Sequence, residues 1–231
     1  MPSPVTGRWM MLDVIERETG PNPQWAVIWL HGLGADGSDF APMVPELVRA
    51  QWPALRFVFP HAPIRPITIN NGVRMRGWYD IVGMDFAQRA DKVGIAESVA
   101  QVEALIANEQ ARGIAPERIL LAGFSQGGAV TLAVGLQRRV PLAGLIAMST
   151  YLPDPAAAAS QLQPGALAQP LFMAHGSVDP VVPYRAGEQS AQALQALGFM
   201  LEWHSYPMGH QVCVEEIDAL RDWMQARFTA V

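Results

Sequence analysis

Seven short apolar runs recur along the chain, at Met10–Ile15, Trp25–Leu30, Leu55–Phe59, Ile119–Ala122, Leu142–Met148, Leu171–Ala174 and Leu201–Tyr206. Between several of them apolar residues return every three or four positions, the spacing of one helix face. The clearest case is Asp91–Arg112, where Ile95, Val99, Val102, Leu105 and Ile106 share a face and Glu97, Gln101, Asn108 and Arg112 fall largely off it. The same spacing predicts helices over Phe40–Ala50, Gln126–Gln137, Tyr184–Leu197 and Val212–Phe228. Unbroken apolar runs suit strands buried on both faces, and their alternation with helices predicts an α/β fold, a mostly parallel central sheet with helices on both faces. Reactive groups on such a sheet lie beyond the carboxyl ends of its strands. An Asn-Asn-Gly turn in "IRPITINNGVRM" predicts a hairpin off the main pattern. The Ala- and Pro-rich stretch "PDPAAAASQLQPGALAQP" is short enough to be one surface excursion.

Composition narrows this further. A chain of 231 residues, 50% of them hydrophobic, can bury one substantial core, so residues 1–231 are expected to form a single domain. The net charge of −5, with no cluster of Lys and Arg, gives no electrostatic footprint for nucleic acid or an anionic membrane. Cys213 is the sole cysteine, which excludes an internal disulfide and any multi-cysteine metal site and fits a reducing cytoplasm. No secretory pattern opens "MPSPVTGRWMML" and no apolar run reaches the length of a membrane span, so a soluble, cytoplasmic protein is expected.

The stretch "ILLAGFSQGGAVTLAV" reads as strand, sharp turn and helix, with Ser125 at the turn and Gly123, Gly127 and Gly128 around it. A short G-x-S-x-G pattern occurs by chance in many chains, and a glycine cluster can be a loose turn. Here the context favours a strained turn that exposes the hydroxyl, because side chains at Gly123 and Gly127 would collide as strand and helix close. The helix starting near Gln126 also aims unpaired N–H groups and its positive dipole end at whatever Ser125 attacks.

A serine hydroxyl needs a base within hydrogen-bond reach, itself oriented by a third group. Of the five histidines, His204 lies inside a strand-like run, and His31, His61 and His175 stand at strand ends near Gly or Pro and suit structural hydrogen bonding. His210 sits in a short loop, "YPMGHQV", between the last strand and the last helix, where the chain order serine, acid, histidine places the base. Two acids fall between serine and base after a strand. Asp179, in "LFMAHGSVDPVVP", is held by Pro180 in an extended backbone and is preferred; Asp154, in "IAMSTYLPDP", reads as a solvated loop residue.

The segment "VIWLHGLGADGSDF" runs from a strand into a Gly-rich loop. It lacks the G-K-[ST] of a phosphate loop. It does match G-x-G-x-x-G, but no acidic residue ends a second strand at the spacing a dinucleotide site needs. An oxyanion loop fits better, with the main-chain N–H groups of Leu33 and Gln126 facing the developing charge.

With these pieces placed, the sequence resembles the carboxylesterase/acyl-protein thioesterase (phospholipase/carboxylesterase) family of α/β-hydrolases, a group that includes small bacterial carboxylesterases and lysophospholipases. The resemblance runs from about Trp25 to the last helix and rests on "VIWLHGLGADGSDF", "FVFPHAP", "RGWYD", "LAGFSQGGAV", "MSTYLP", "HGSVDPVVP" and "YPMGHQVCVEEI", in that order. It implies a serine hydrolase of carboxylic esters or thioesters with Ser125, Asp179 and His210 as its triad and Leu33 and Gln126 as oxyanion donors. It further implies no metal or organic cofactor, often a homodimer, and a lid-like loop around residues 64–86 that controls which substrates reach the site. Trp78 would then come from the loop over the acyl site, where it either lines the acyl pocket or anchors the loop to the core. Met84 and Phe86, with Leu33, Phe124, Val181 and Val182, could build an apolar acyl groove, and Met75 could narrow its mouth. Cys213 reads as a buried helix residue rather than a reactive thiol.

The expected activity is hydrolysis of short- to medium-chain carboxylic esters through an acyl-enzyme, with a small-molecule ester or thioester as partner and no stable membrane insertion. The same triad would serve an acyl-protein thioesterase, a lysophospholipase or a perhydrolase, and a silent hydrolase-fold binding protein is the non-enzymatic rival.

Overall fold

Six of the apolar runs become parallel strands of one seven-stranded sheet. The computed structural model of the protein describes residues 11–83 and 91–229. The strands are β1 (Val14–Glu18), β2 (Trp25–Leu30), β3 (Leu55–Pro60), β6 (Ile119–Phe124), β7 (Gly144–Met148), β8 (Leu171–Gly176) and β9 (Leu201–Tyr206), in the spatial order β1-β3-β2-β6-β7-β8-β9. Strands β2, β3, β7 and β8 are buried at every position, as covering on both faces requires. The remaining two, β4 (Ile64–Ile67) and β5 (Val73–Arg76), form the separate hairpin, with Asn71 and Gly72 at positive φ in its turn.

Helices α2 (Lys92–Ala111), α3 (Gln126–Leu136), α5 (Tyr184–Ala196) and α6 (Val214–Thr229) cover the sheet. The Asp91 side chain caps α2 by accepting the Val93 N–H at 3.0 Å, which satisfies one of the orphan donors of its first turn. Every residue of α3 is buried, as its mostly small and apolar sequence allows. One core, containing Ile28, Leu30, Val102 and Leu121, lies on the α2 and α3 face. The other, containing Trp29, Phe57, Phe172 and Trp223, lies under α6. No helix among the described residues is long and apolar enough to cross a membrane.

Two expected elements differ. Of the run expected from Met10, which itself lies outside the described residues, residues 11–13 stay out of the first strand; it begins at Val14 and runs through Glu16, Arg17 and Glu18, pairing antiparallel with β3 from Val14↔Pro60 to Glu18↔Arg56. An edge strand exposes one side, so its polar half carries no apolar run to mark it; the Glu18 carboxylate instead meets Arg56 at 2.9 Å. The helix expected over Phe40–Ala50 is a 3-10 turn at Ala41–Met43 followed by one turn of α1 (Val44–Leu47). Pro42 and Pro45 sit in the first turns, where their missing N–H groups cost nothing, and the chain is already extended at Val48. The Ala/Pro excursion contains one further short helix, α4 (Ala158–Gln161).

Candidate active site

Strand β6 ends at Phe124 and α3 begins at Gln126, leaving Ser125 alone at the turn with φ 54° and ψ −118°. That backbone is strained for any residue with a Cβ and persists because its surroundings dictate it. The glycines act by close approach: a Cβ on Gly123 would stand 2.3 Å from the Gly127 carbonyl oxygen, and one on Gly127 would stand 2.4 Å from that of Leu30. Ser125 is left 9% exposed, its hydroxyl beyond the carboxyl end of β6.

His210, in the loop between β9 and α6, has its Nε2 2.9 Å from Ser125 Oγ and its Nδ1 2.7 Å from Asp179 Oδ2. The second oxygen, Asp179 Oδ1, accepts the N–H groups of Val181 and Val182 at 2.8 and 2.9 Å. A carboxylate accepts only, so Nδ1 carries the proton and Nε2 is free to accept from the serine. A hydroxyl held on a neutral imidazole that a carboxylate orients can be deprotonated as it attacks an electrophilic carbon. The rival acid, Asp154, is engaged elsewhere, 2.7 Å from Lys92 Nζ.

The other four histidines have structural partners. His61 Nδ1 accepts the Gly37 N–H at 3.1 Å, and His204 stacks on Phe172. His175 donates from Nε2 to the Val182 carbonyl at 2.8 Å and so supports the turn that presents Asp179. His31 donates from Nδ1 to the Gly32 carbonyl at 2.7 Å, and its Nε2 accepts the Ala62 N–H at 3.0 Å. Burial lowers the pKa of both His31 and His175 and keeps them neutral.

Trp78 and Val182 require correction as groove residues. Trp78 is 0% exposed, and its indole N–H donates to the His31 carbonyl at 2.9 Å; its main-chain N–H donates to Gln126 Oε1 at 2.8 Å, and Ser98 Oγ donates to its carbonyl. An indole N–H buried this way needs its partner, so the residue anchors the loop rather than presenting a wall. Val182 is buried as well, with both main-chain polar groups in the Asp179 turn. Val181 is 54% exposed, Leu33 packs beside Gly77, and Phe124 lies with its ring centroid 4.8 Å from that of His210. Met84 and Phe86 lie outside the described residues.

Two contacts carry no mark in the sequence pattern. The Gln126 side chain grips the "WYD" loop, accepting from Trp78 N–H and donating to the Tyr79 carbonyl at 2.7 Å. Thr150 Oγ donates to the Ser125 carbonyl at 2.7 Å. Thr150 lies within "MSTYLP", but nothing in a Ser-Thr dipeptide reveals which strand end it faces. Among the described residues, no group of three or more His, Cys, Asp or Glu side chains is placed to hold a metal ion.

Comparison with known proteins agrees with this fold. A family described as Phospholipase/Carboxylesterase matches residues 12–227. Acyl-protein thioesterase 1 of Neurospora crassa is 41% identical over 96% of the chain and 92% of its own length. Carboxylesterase SOBER1 of Arabidopsis thaliana is 33% identical over 87% of the chain and 90% of its own length. The SOBER1 crystal structure superposes with a TM-score of 0.83 at 32% identity, covering 88% of this chain and 98% of that one. The crystal structure of Zea mays acyl-protein thioesterase 2 does so with a TM-score of 0.79 at 27% identity, covering 93% of this chain and 99% of that one. The chain therefore belongs to the phospholipase/carboxylesterase family, serine hydrolases built on the α/β-hydrolase fold.

Proposed function

We propose that the protein is a serine carboxylesterase that hydrolyses short- to medium-chain esters through an acyl-enzyme at Ser125. The observation that carries this is the hydrogen-bonded chain from Ser125 Oγ to His210 Nε2 at 2.9 Å and from His210 Nδ1 to Asp179 Oδ2 at 2.7 Å. In this catalytic triad His210 takes the serine proton as the carbonyl is attacked and returns it to the leaving group, and then activates the water that releases the acyl group. The N–H groups of Leu33 and Gln126 form the oxyanion hole; neither has a hydrogen-bond acceptor among the described residues. Leu33, Phe124 and Val181 line the acyl groove, and the loop around residues 64–86 acts as its lid within one domain of residues 1–231. The single cysteine suits a cytoplasmic setting.

A second reading is favoured by relatives named acyl-protein thioesterase: the same site would act on acyl thioesters. The test is hydrolysis of p-nitrophenyl acetate, butyrate, octanoate and palmitate, and of palmitoyl thioesters, by the protein and by Ser125→Ala. Turnover that peaks at butyrate or octanoate and vanishes in the variant supports the esterase. A preference for palmitoyl thioesters supports the second reading. No turnover of any substrate would point to a silent binding protein, and turnover surviving in Ser125→Ala would mean another nucleophile. Sedimentation velocity tests the homodimer that the family resemblance implies.

A further inference from the structure

We propose that Thr150 is a positioning residue for the oxyanion hole, acting through the carbonyl of Ser125. This rests on the role proposed above for the Gln126 N–H. The carbonyl of Ser125 and the N–H of Gln126 belong to one planar peptide and point in opposite directions, so whatever holds the oxygen aims the donor. Thr150 Oγ donates to that oxygen at 2.7 Å, beside the helical bond from Ala129 N–H at 3.1 Å. A hydrogen bond to the carbonyl side also polarises the peptide, which strengthens its N–H as a donor.

Two further features of the fold converge on this contact. Ser149, directly before Thr150, has φ 47° although it is neither glycine nor exposed. It turns the chain at the end of β7, with its N–H bonded to the Ala174 carbonyl at 2.8 Å, so that Thr150 faces Ser125 on the neighbouring strand end. Strained non-glycine backbone of this kind gathers at functional sites. Gly128, on the first turn of α3, supplies the room: a Cβ there would stand 2.8 Å from both Thr150 Cβ and Cγ2. The bonds around the buried Thr150 hydroxyl therefore extend from one strand end into the peptide that would face the oxyanion.

The experiment compares Thr150→Val, which keeps the shape and removes the donor, with Thr150→Ser, which keeps the donor, and with Ser125→Ala. Rates on p-nitrophenyl butyrate are measured per titrated active site, with the affinity of a short-chain trifluoromethyl ketone and the Tm measured in parallel. Thr150→Val is expected to lose about five- to tenfold in kcat, the scale of one neutral hydrogen bond. Its KM should stay within about twofold, its ketone affinity should fall by the same factor as kcat/KM, and Thr150→Ser should restore most of both. Parental kcat in Thr150→Val beside a dead Ser125→Ala overturns the inference and leaves the serine assignment standing, whatever happens to the Tm. Equal loss in Thr150→Ser and Thr150→Val overturns it in favour of packing. Activity in Ser125→Ala overturns the underlying assignment instead. Should Thr150→Val fail to fold, Thr150→Cys, of similar size but a weaker donor, carries the test: a reduced kcat and ketone affinity support the inference, and parental values overturn it.

Discussion

His31 Nδ1 lies 2.7 Å from the carbonyl oxygen of Gly32, and that carbonyl belongs to the same peptide as the Leu33 N–H. The ring therefore fixes the plane of the first proposed oxyanion donor. Its Nε2 accepts the Ala62 N–H at 3.0 Å, so the loop after β2 is tied to the chain leaving β3. His31→Leu removes both bonds and leaves the buried Ala62 N–H without a partner, which costs about 1–3 kcal/mol. We expect a lower Tm together with a reduced kcat on p-nitrophenyl butyrate. A stable variant with parental kcat would show that the Gly32–Leu33 peptide holds its orientation without the ring.

Asp179 meets three donors, two of them the N–H groups of its own turn at 2.8 and 2.9 Å. In Asp179→Asn the amide oxygen is therefore held by the turn and the NH2 group faces His210 Nδ1. The imidazole must then carry its proton on Nε2, against the serine hydroxyl, the tautomer that cannot accept. The expected loss in kcat is about 10⁴-fold with the fold retained. Circular dichroism and turnover measured side by side check this, and a loss below about tenfold would argue that Asp179 does not set the tautomer.

Trp78→Phe removes the indole N–H bond to the His31 carbonyl while keeping most of the buried ring. The His31 carbonyl loses its partner, so stability should fall by about 1 kcal/mol. Because the side chain is fully buried, the ratio of octanoate to butyrate turnover should stay within about twofold. A changed ratio would return Trp78 to the acyl groove.

Glu216, on α6, is fully buried with neither carboxyl oxygen in a hydrogen bond. Burial raises its pKa from 4.5 to about 8, with the nearby Cys213 N–H offsetting a part of the effect. The folded protein thus holds a proton that the unfolded chain has released between those two values, and stability falls as pH rises through that window. The shifts of His31 and His175 are downward from 6.5, so their unfolded rings still shed protons just above that pH and stability rises there, which offsets a part of the Glu216 effect. The stability of the parent relative to Glu216→Gln, in which the histidine contribution cancels, should fall from pH 6.5 to 8 with a slope approaching about 1.4 kcal/mol per pH unit. Glu216→Gln, neutral throughout, should flatten the slope. Denaturant melts at pH 6.5, 7.2 and 8.0 measure both, and a parent as pH-dependent as the variant would contradict the assignment.

Much of this protein is legible in its sequence because the physics involved is local or periodic. Continuous apolar runs mark β2, β6, β7 and β8, and β3 beyond Arg56, since a strand covered on both faces has no polar side to interrupt it. The glycines flanking Ser125 declare the sharp turn, because only close backbone approach excludes a side chain at both positions. Chain order along a parallel sheet then brings Asp179 and His210 to the same edge as Ser125. The polar half of edge strand β1 and the early end of the proline-broken α1 escape notice for the opposite reason, since pairing with β3 and two rigid rings outweigh their hydrophobic pattern.

Tertiary structure alone decides which hydrogen bonds connect those pieces. That Thr150 faces the Ser125 carbonyl, that His31 holds the Ala62 N–H, and that Trp78 is spent on anchoring rather than on a pocket wall all depend on contacts between segments 25 to 47 residues apart. Such contacts obey no period in the chain, because a side chain's partner across strand ends is set by register and twist rather than by its neighbours in sequence.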